Sequence, residues 1–261
     1  MKKSILVTRS VKKDGVDFME RLKNNRTLLG IIVFVSLFFL QVLLGKAGHL
    51  LANIIPHQQI DPYGSFAGIS IHHICQMIIA LIVILVLSKL LKTNFCFQLG
   101  DVKKGMKYLA LFTAAFAIIS LVIHVFMYVN NQLPSYSFPL DKRNIIGTLS
   151  FQLFLSGPSE EVVFRALPIT VLMYAFGKSI SVKGNITLEV ILASVLFSFA
   201  HISWSLSPFT INIDFFQIFY AFVLGTIQGI VYQRTRSILY PILMHSISNV
   251  LMVGIGYLFV A

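Results

Sequence analysis

Charged side chains are scarce: they make up 12% of the 261 residues, against 56% hydrophobic, and the mean hydropathy is +0.82. A water-soluble globule of this size would be left covered in apolar surface, so that class is excluded and the balance points to a polytopic membrane protein. Cysteine is limited to Cys75 and Cys96. At about 1.5 Å per helical residue the two are roughly 30 Å apart, too far for a disulfide. Internal repeats, low-complexity tracts and long linkers are also lacking. Acidic residues number 10 against 21 Lys and Arg, a net charge of +11. The basic residues sit between apolar runs without the aromatic interleaving of RNA binders, so nucleic acid is not an expected partner.

The apolar runs are long. Seven segments reach spanning length: Leu28–Leu44, Ile69–Leu87, Tyr108–Tyr128, Ile145–Met173, Leu188–Ser207, Phe215–Tyr232 and Ile238–Val260. The fold expected is all-α, a polytopic bundle of about seven transmembrane helices. Residues 1–26 form a basic tail and 27–261 one membrane-embedded domain. The first span follows polar and basic residues and lacks a convincing small-residue cleavage site, so it reads as a retained anchor. The tail and alternate connections hold 17 basic residues, and the other side only Lys46, Lys142 and Arg143. The amino terminus is therefore expected in the cytoplasm and the carboxyl terminus outside. The tail's lysines and arginines favour anionic headgroups.

Ionisable groups inside these spans carry the functional signal, because a charge in lipid costs a few kcal/mol even on lenient insertion scales. They are Glu160, Glu161 and Arg165 in "SGPSEEVVFR", His201 in "FSFAH", and His245 with Asn249 in "HSISN". Glu161 and Arg165 are i,i+4, so they can pair on one face. Glu160 points about 100° away and is left without a partner in its own helix. Upstream, Gly157 and Pro158 read as an intramembrane helix restart, with Gly157 at the N-cap and Glu160 in the first turn. Such a break is tolerated beside protein or a water-filled cavity. His245 and Asn249 are again i,i+4. His72 and His73 are adjacent and face different ways, and His49 and His124 lack companions, so all four rank lower. Gly225 and Gly229 form a G-x-x-x-G, most simply a close helix contact.

A glutamate and a histidine converging on water make a general base with an orienting partner, and a second histidine with an asparagine can stabilise an oxyanion. Neither cysteine lies on these segments, which argues against a thiol protease. Ser156, Ser159 and Ser246 have no obvious same-helix base at i+4. Zinc held by Glu160, His201 and His245 is the sharper rival, although the H-E-x-x-H spacing is absent.

The three motifs, E-E-x-x-x-R, F-x-x-x-H and H-x-x-x-N, in this order, resemble those of the CAAX prenyl endopeptidase and bacteriocin-processing (CPBP, Abi) family of intramembrane proteases. The resemblance covers roughly the carboxyl-terminal half. It implies a polar catalytic cavity formed by the last four spans and opened toward the cytoplasm and the bilayer. It implies that Glu160 and His201 activate water, that His245 and Asn249 stabilise the oxyanion, and that Glu161 with Arg165 holds the motif helix. It implies no cofactor, zinc remaining the alternative. The substrate implied is a membrane-associated peptide or protein, such as a bacteriocin or pheromone precursor, and the location is the plasma membrane. Two other readings use the same buried groups: a non-catalytic immunity or regulatory membrane protein, and a proton-coupled transporter, against which the lack of inverted hydropathy symmetry counts.

Overall fold

The structure, a computed structural model, describes residues 25–206 and 209–260. All but the last two residues of the basic tail lie outside these. Three long helices come first: α1 (Arg26–Ile54), α2 (Ala67–Leu91) and α3 (Val102–Val129). A continuous helical rod over 142–176 follows, made of α4 (Lys142–Phe151), α5 (Gly157–Glu161) and α6 (Leu167–Phe176), joined by π-helical turns at Gln152–Ser156 and Val162–Ala166. After it come a small hairpin, β1 (Ser181–Lys183) and β2 (Ile186–Thr187), and the short helix α7 (Leu188–Phe199). A second hairpin, β3 (Ser203–Leu206) and β4 (Phe209–Asn212), leads into α8 (Phe215–Thr235) and α9 (Leu239–Val260). The all-α membrane class holds.

Five helices, α1, α2, α3, α8 and α9, are each long and apolar enough to cross a bilayer. The fifth expected segment, Leu188–Ser207, is different. Its helix stops at Phe199 after 12 residues, about 18 Å of rise, short of the ~30 Å hydrocarbon core. The chain then turns into the β3–β4 hairpin, where Trp204 pairs with Ile211. Hydropathy alone could not distinguish an apolar hairpin from the end of a helix.

Short polar side chains set the helix starts. Asn25, Asp101, Asp141 and Asp214 each accept from the backbone N–H three residues on, the usual N-cap bond. Asp61 does more. It is 1% exposed and accepts from the amides of Ser65, Phe66 and Ala67 and from the Ser65 hydroxyl, closing the start of α2. Burial pushes its carboxyl up, but these four donors outweigh it and hold it below the usual carboxylate range.

The 142–176 rod is the centre of the bundle, packed against α1, α2, α7, α8 and α9. Its two halves differ. Residues 161–170 are buried without exception and sit in the main core with Leu37, Ile84, Leu196 and Tyr232. The outer faces of α1 to α3 present Phe39, Leu43, Leu85, Ile118 and Val122, each half or more exposed, as lipid-facing surface requires. Gly225 and Gly229 bring α8 against α7: a Cβ on Gly229 would meet Val190 at 2.9 Å.

The helix restart expected at Gly157 is absent. Gly157 has φ −55° and ψ −55°, ordinary helical values, so it is no N-cap. A proline lacks the N–H and collides with the carbonyl four residues back. Pro158 and Pro168 each come two residues after a π-turn, and the widened turn moves that carbonyl aside. The chain relieves both prolines without breaking the rod.

Candidate active site

Glu160 and Glu161 occupy the α5 segment between the two π-turns. Glu160 Oε1 lies 3.1 Å from Nε2 of His73 on α2 and accepts from Ser156 Oγ at 3.1 Å. Ser156 in turn accepts from Asn249 Nδ2 at 3.0 Å. Glu160 therefore has a partner in its own helix, four residues back. The expectation passed over Ser156 although the spacing was i,i+4. The side chain of Glu160 is 18% exposed, and that exposure is into a cavity.

Glu161, by contrast, is fully enclosed. Its Oε1 sits 3.1 Å from Arg165 Nη2 and 2.7 Å from His245 Nδ1. The same Nη2 donates to Gln228 Oε1 at 2.6 Å, and the guanidinium lies 4.0 Å over the Phe197 ring. Arg165 Nε and Nη1 have no hydrogen-bond partner among the described residues. The sequence placed Glu161 with Arg165; that it also orients His245 is decided by packing. The rod and α9 can approach only because residue 157 is glycine: a Cβ there would meet Ser246 Oγ at 2.4 Å and the Ile242 carbonyl at 3.0 Å.

His245 Nε2 faces Glu160 Oε2 at 3.7 Å. His201, just past the end of α7, has its Nδ1 2.9 Å from the Phe197 carbonyl. A carbonyl can only accept, so Nδ1 carries the proton and Nε2 is left with its lone pair. By the same reasoning His73 Nδ1, 3.0 Å from the Ile69 carbonyl, is protonated. Its Nε2 contact with Glu160 then requires one further proton shared between the two.

These groups line one cavity of about 620 Å³, which takes in Glu160, His73, His201, His245, Asn249 and Gln228. The expectation of a cavity built by the last four spans is corrected: α2 supplies His73 and α3 supplies Ile123, His124 and Met127. His73 is the residue that sequence reasoning missed. The available signal was His73 with Gln76, one turn apart on a largely apolar span, a placement costly in lipid that marks a polar neighbour. For zinc, Glu160 Oε1 is taken by His73 and Ser156, and no group of three His, Cys, Asp or Glu among the described residues is arranged to hold a metal ion. Cys75 and Cys96 are both free.

Residues 142–251 match the family model described as Type II CAAX prenyl endopeptidase Rce1-like. Over these residues, which carry most of the site, the chain is similar to that peptidase family. The Rce1-like segment begins at the first residue of α4 and ends within α9, so it contains Glu160, Glu161, Arg165, His201, His245 and Asn249. His73 lies outside it. No curated protein and no solved structure matches the chain.

Proposed function

We propose that this multi-pass membrane protein is an intramembrane endopeptidase that hydrolyses a peptide bond in a membrane-associated peptide or protein. The observation that carries the reading is the division of labour within the Glu160 carboxylate. One oxygen is fixed by His73 and Ser156, and the other points toward the imidazole of His245 across a 3.7 Å gap.

In this reading Glu160 Oε2 takes a proton from water as the water oxygen attacks the scissile carbonyl carbon, and later passes it to the leaving amide nitrogen. His201 accepts the second water hydrogen at Nε2 and aims the attack. His245, held through Nδ1 by Glu161, donates from Nε2 to the oxyanion. Asn249 acts through Ser156, holding Glu160 in place, and Arg165 keeps Glu161 aligned.

The test is a cleavage assay on purified wild-type protein beside Glu160→Gln, each with and without a strong zinc chelator. Activity that survives the chelator but not the substitution supports the reading. Activity lost to the chelator and restored by zinc would establish the zinc mechanism instead. Cleavage retained by pure Glu160→Gln protein would defeat the assignment of the base.

A further inference from the structure

The cavity opens at one end of the bundle. Most of its lining residues lie toward the same end of the bundle: His73 near the start of α2, Met127 near the end of α3, Tyr136 in the loop beyond, Gln152 before the middle of the rod, Gln217 at the start of α8, and Met252 past the middle of α9, with Gln228 and His245 at its inner end. The opposite end is closed. There the rod is buried residue after residue, the Asp101 amide donates to the Thr235 carbonyl at 2.8 Å, and the Ile238 amide donates to the Cys96 carbonyl at 2.8 Å.

The closed end carries the positive charge. Of the fourteen Lys and Arg among the described residues, ten belong to it: Arg26 at the start of α1, five between Lys89 and Lys107, Lys178 and Lys183, and Arg234 and Arg236. The mouth end has three, Lys46, Lys142 and Arg143, and Arg165 is buried in the site. Basic connections stay in the cytoplasm. A cytoplasm-facing cavity, which the resemblance implies, and a cytoplasmic start of α1 are therefore incompatible in this fold, because α1 begins at the closed end.

We propose that the cavity opens at the extracytoplasmic face of the membrane and that it takes a peptide segment seated in the outer leaflet. The mouth is built for that interface. Phe209, Phe215, Phe216 and Phe219 are each about two-thirds exposed or more beside it, and Trp204 is 44% exposed on the adjoining hairpin. Tryptophan settles at the headgroup level, and exposed phenylalanines beside it bury at the boundary with the acyl chains. A segment lying among them reaches Glu160 without crossing the bilayer. The substrate half of the proposal rests on the endopeptidase reading; the orientation does not.

Single cysteines test the orientation in the full chain with Cys96→Ser as background. Ser135→Cys is at the rim and Asn185→Cys at the closed end, both exposed positions. With a membrane-impermeant maleimide on intact cells, Ser135→Cys labels to completion, and Asn185→Cys labels only after the membrane is opened. Gln132→Cys on the same rim replaces Ser135→Cys should that variant fail to accumulate. The reverse labelling pattern would overturn the proposal. For the substrate half, quenched fluorescent peptides with an apolar anchor are added outside sealed right-side-out vesicles, where wild type cleaves them and Glu160→Gln does not. Cleavage confined to peptides sealed inside would overturn the substrate half. Outward labelling with no cleavage even in detergent would refute the endopeptidase reading while the orientation stands.

Discussion

Glu160 Oε1 and His73 Nε2 meet at 3.1 Å across 87 positions of sequence, and because His73 Nδ1 is committed to the Ile69 carbonyl, a proton must lie between them. One residue from outside the Rce1-like segment thus fixes the carboxylate inside it. His73→Ala is expected to lower kcat by about 10²-fold, within the range for general acid–base partners. KM and thermal midpoint should change little, and His73→Gln, which can still donate to Glu160, should recover part of the rate. Steady-state kinetics on purified variants check this; an unchanged kcat would remove His73 from the site. Glu160→Gln should cost at least as much.

Glu161 and Arg165 are a fully buried pair. Removing one partner strands the other charge, which costs about 3–5 kcal/mol. Arg165→Met and Glu161→Gln should therefore each lower the thermal midpoint in detergent by many degrees, and the double variant by less than the sum of the two. Additive losses would show that the pair is not coupled.

Gly157→Ala introduces one methyl group where Ser246 Oγ stands 2.4 Å away. The rod and α9 must separate, which carries His245 away from Glu160 and Glu161. We expect activity to fall more than stability. Ser246→Gly in the same chain should restore only part of it, because the Ile242 carbonyl at 3.0 Å remains.

Asp61 sets an acid limit on the mouth end. Its folded carboxyl lies below its ordinary value because backbone and Ser65 donors outweigh burial. A carboxylate whose folded pKa is depressed adds stability that is fully present above the unfolded pKa of about 3.9 and is lost as pH falls through the folded value. Asp61→Asn should lower the thermal midpoint at pH 7 and shrink the difference from wild type below about pH 4. A difference that persists unchanged in acid would contradict the ionised cap.

Trp204 is the chain's single tryptophan and lies under Lys46 at 5.0 Å. Its fluorescence reports the hairpin at the mouth. Lipids brominated near the headgroup should quench it more strongly than lipids brominated at the chain ends. The opposite order would place the hairpin deep in hydrocarbon and not at the interface.

Much of this was legible in the sequence wherever the physics is local. The membrane class follows from composition, the long helices from apolar runs, and the Glu161–Arg165 proximity from four-residue spacing on a helix. What failed was nonlocal or disguised. The end of α7 at Phe199 was hidden because an apolar hairpin and an apolar helix have the same hydropathy. The π-turns were hidden because Gly-Pro reads equally as a break or as a relieved proline. His73 was set aside because its neighbour His72 made it look like a failed metal pair, when its partner lay on another helix.

By itself the sequence determined which residues are too polar for lipid, how they are spaced within each span, and which connections are basic, since helical period and charge transfer cost act residue by residue. Only the tertiary structure decided that α2 completes the site, that Glu161 orients His245, and that the cavity opens away from the basic end. Those depend on how closely helices approach. At Gly157 that approach turns on a missing methyl group, whose consequence appears only when α9 is packed against it.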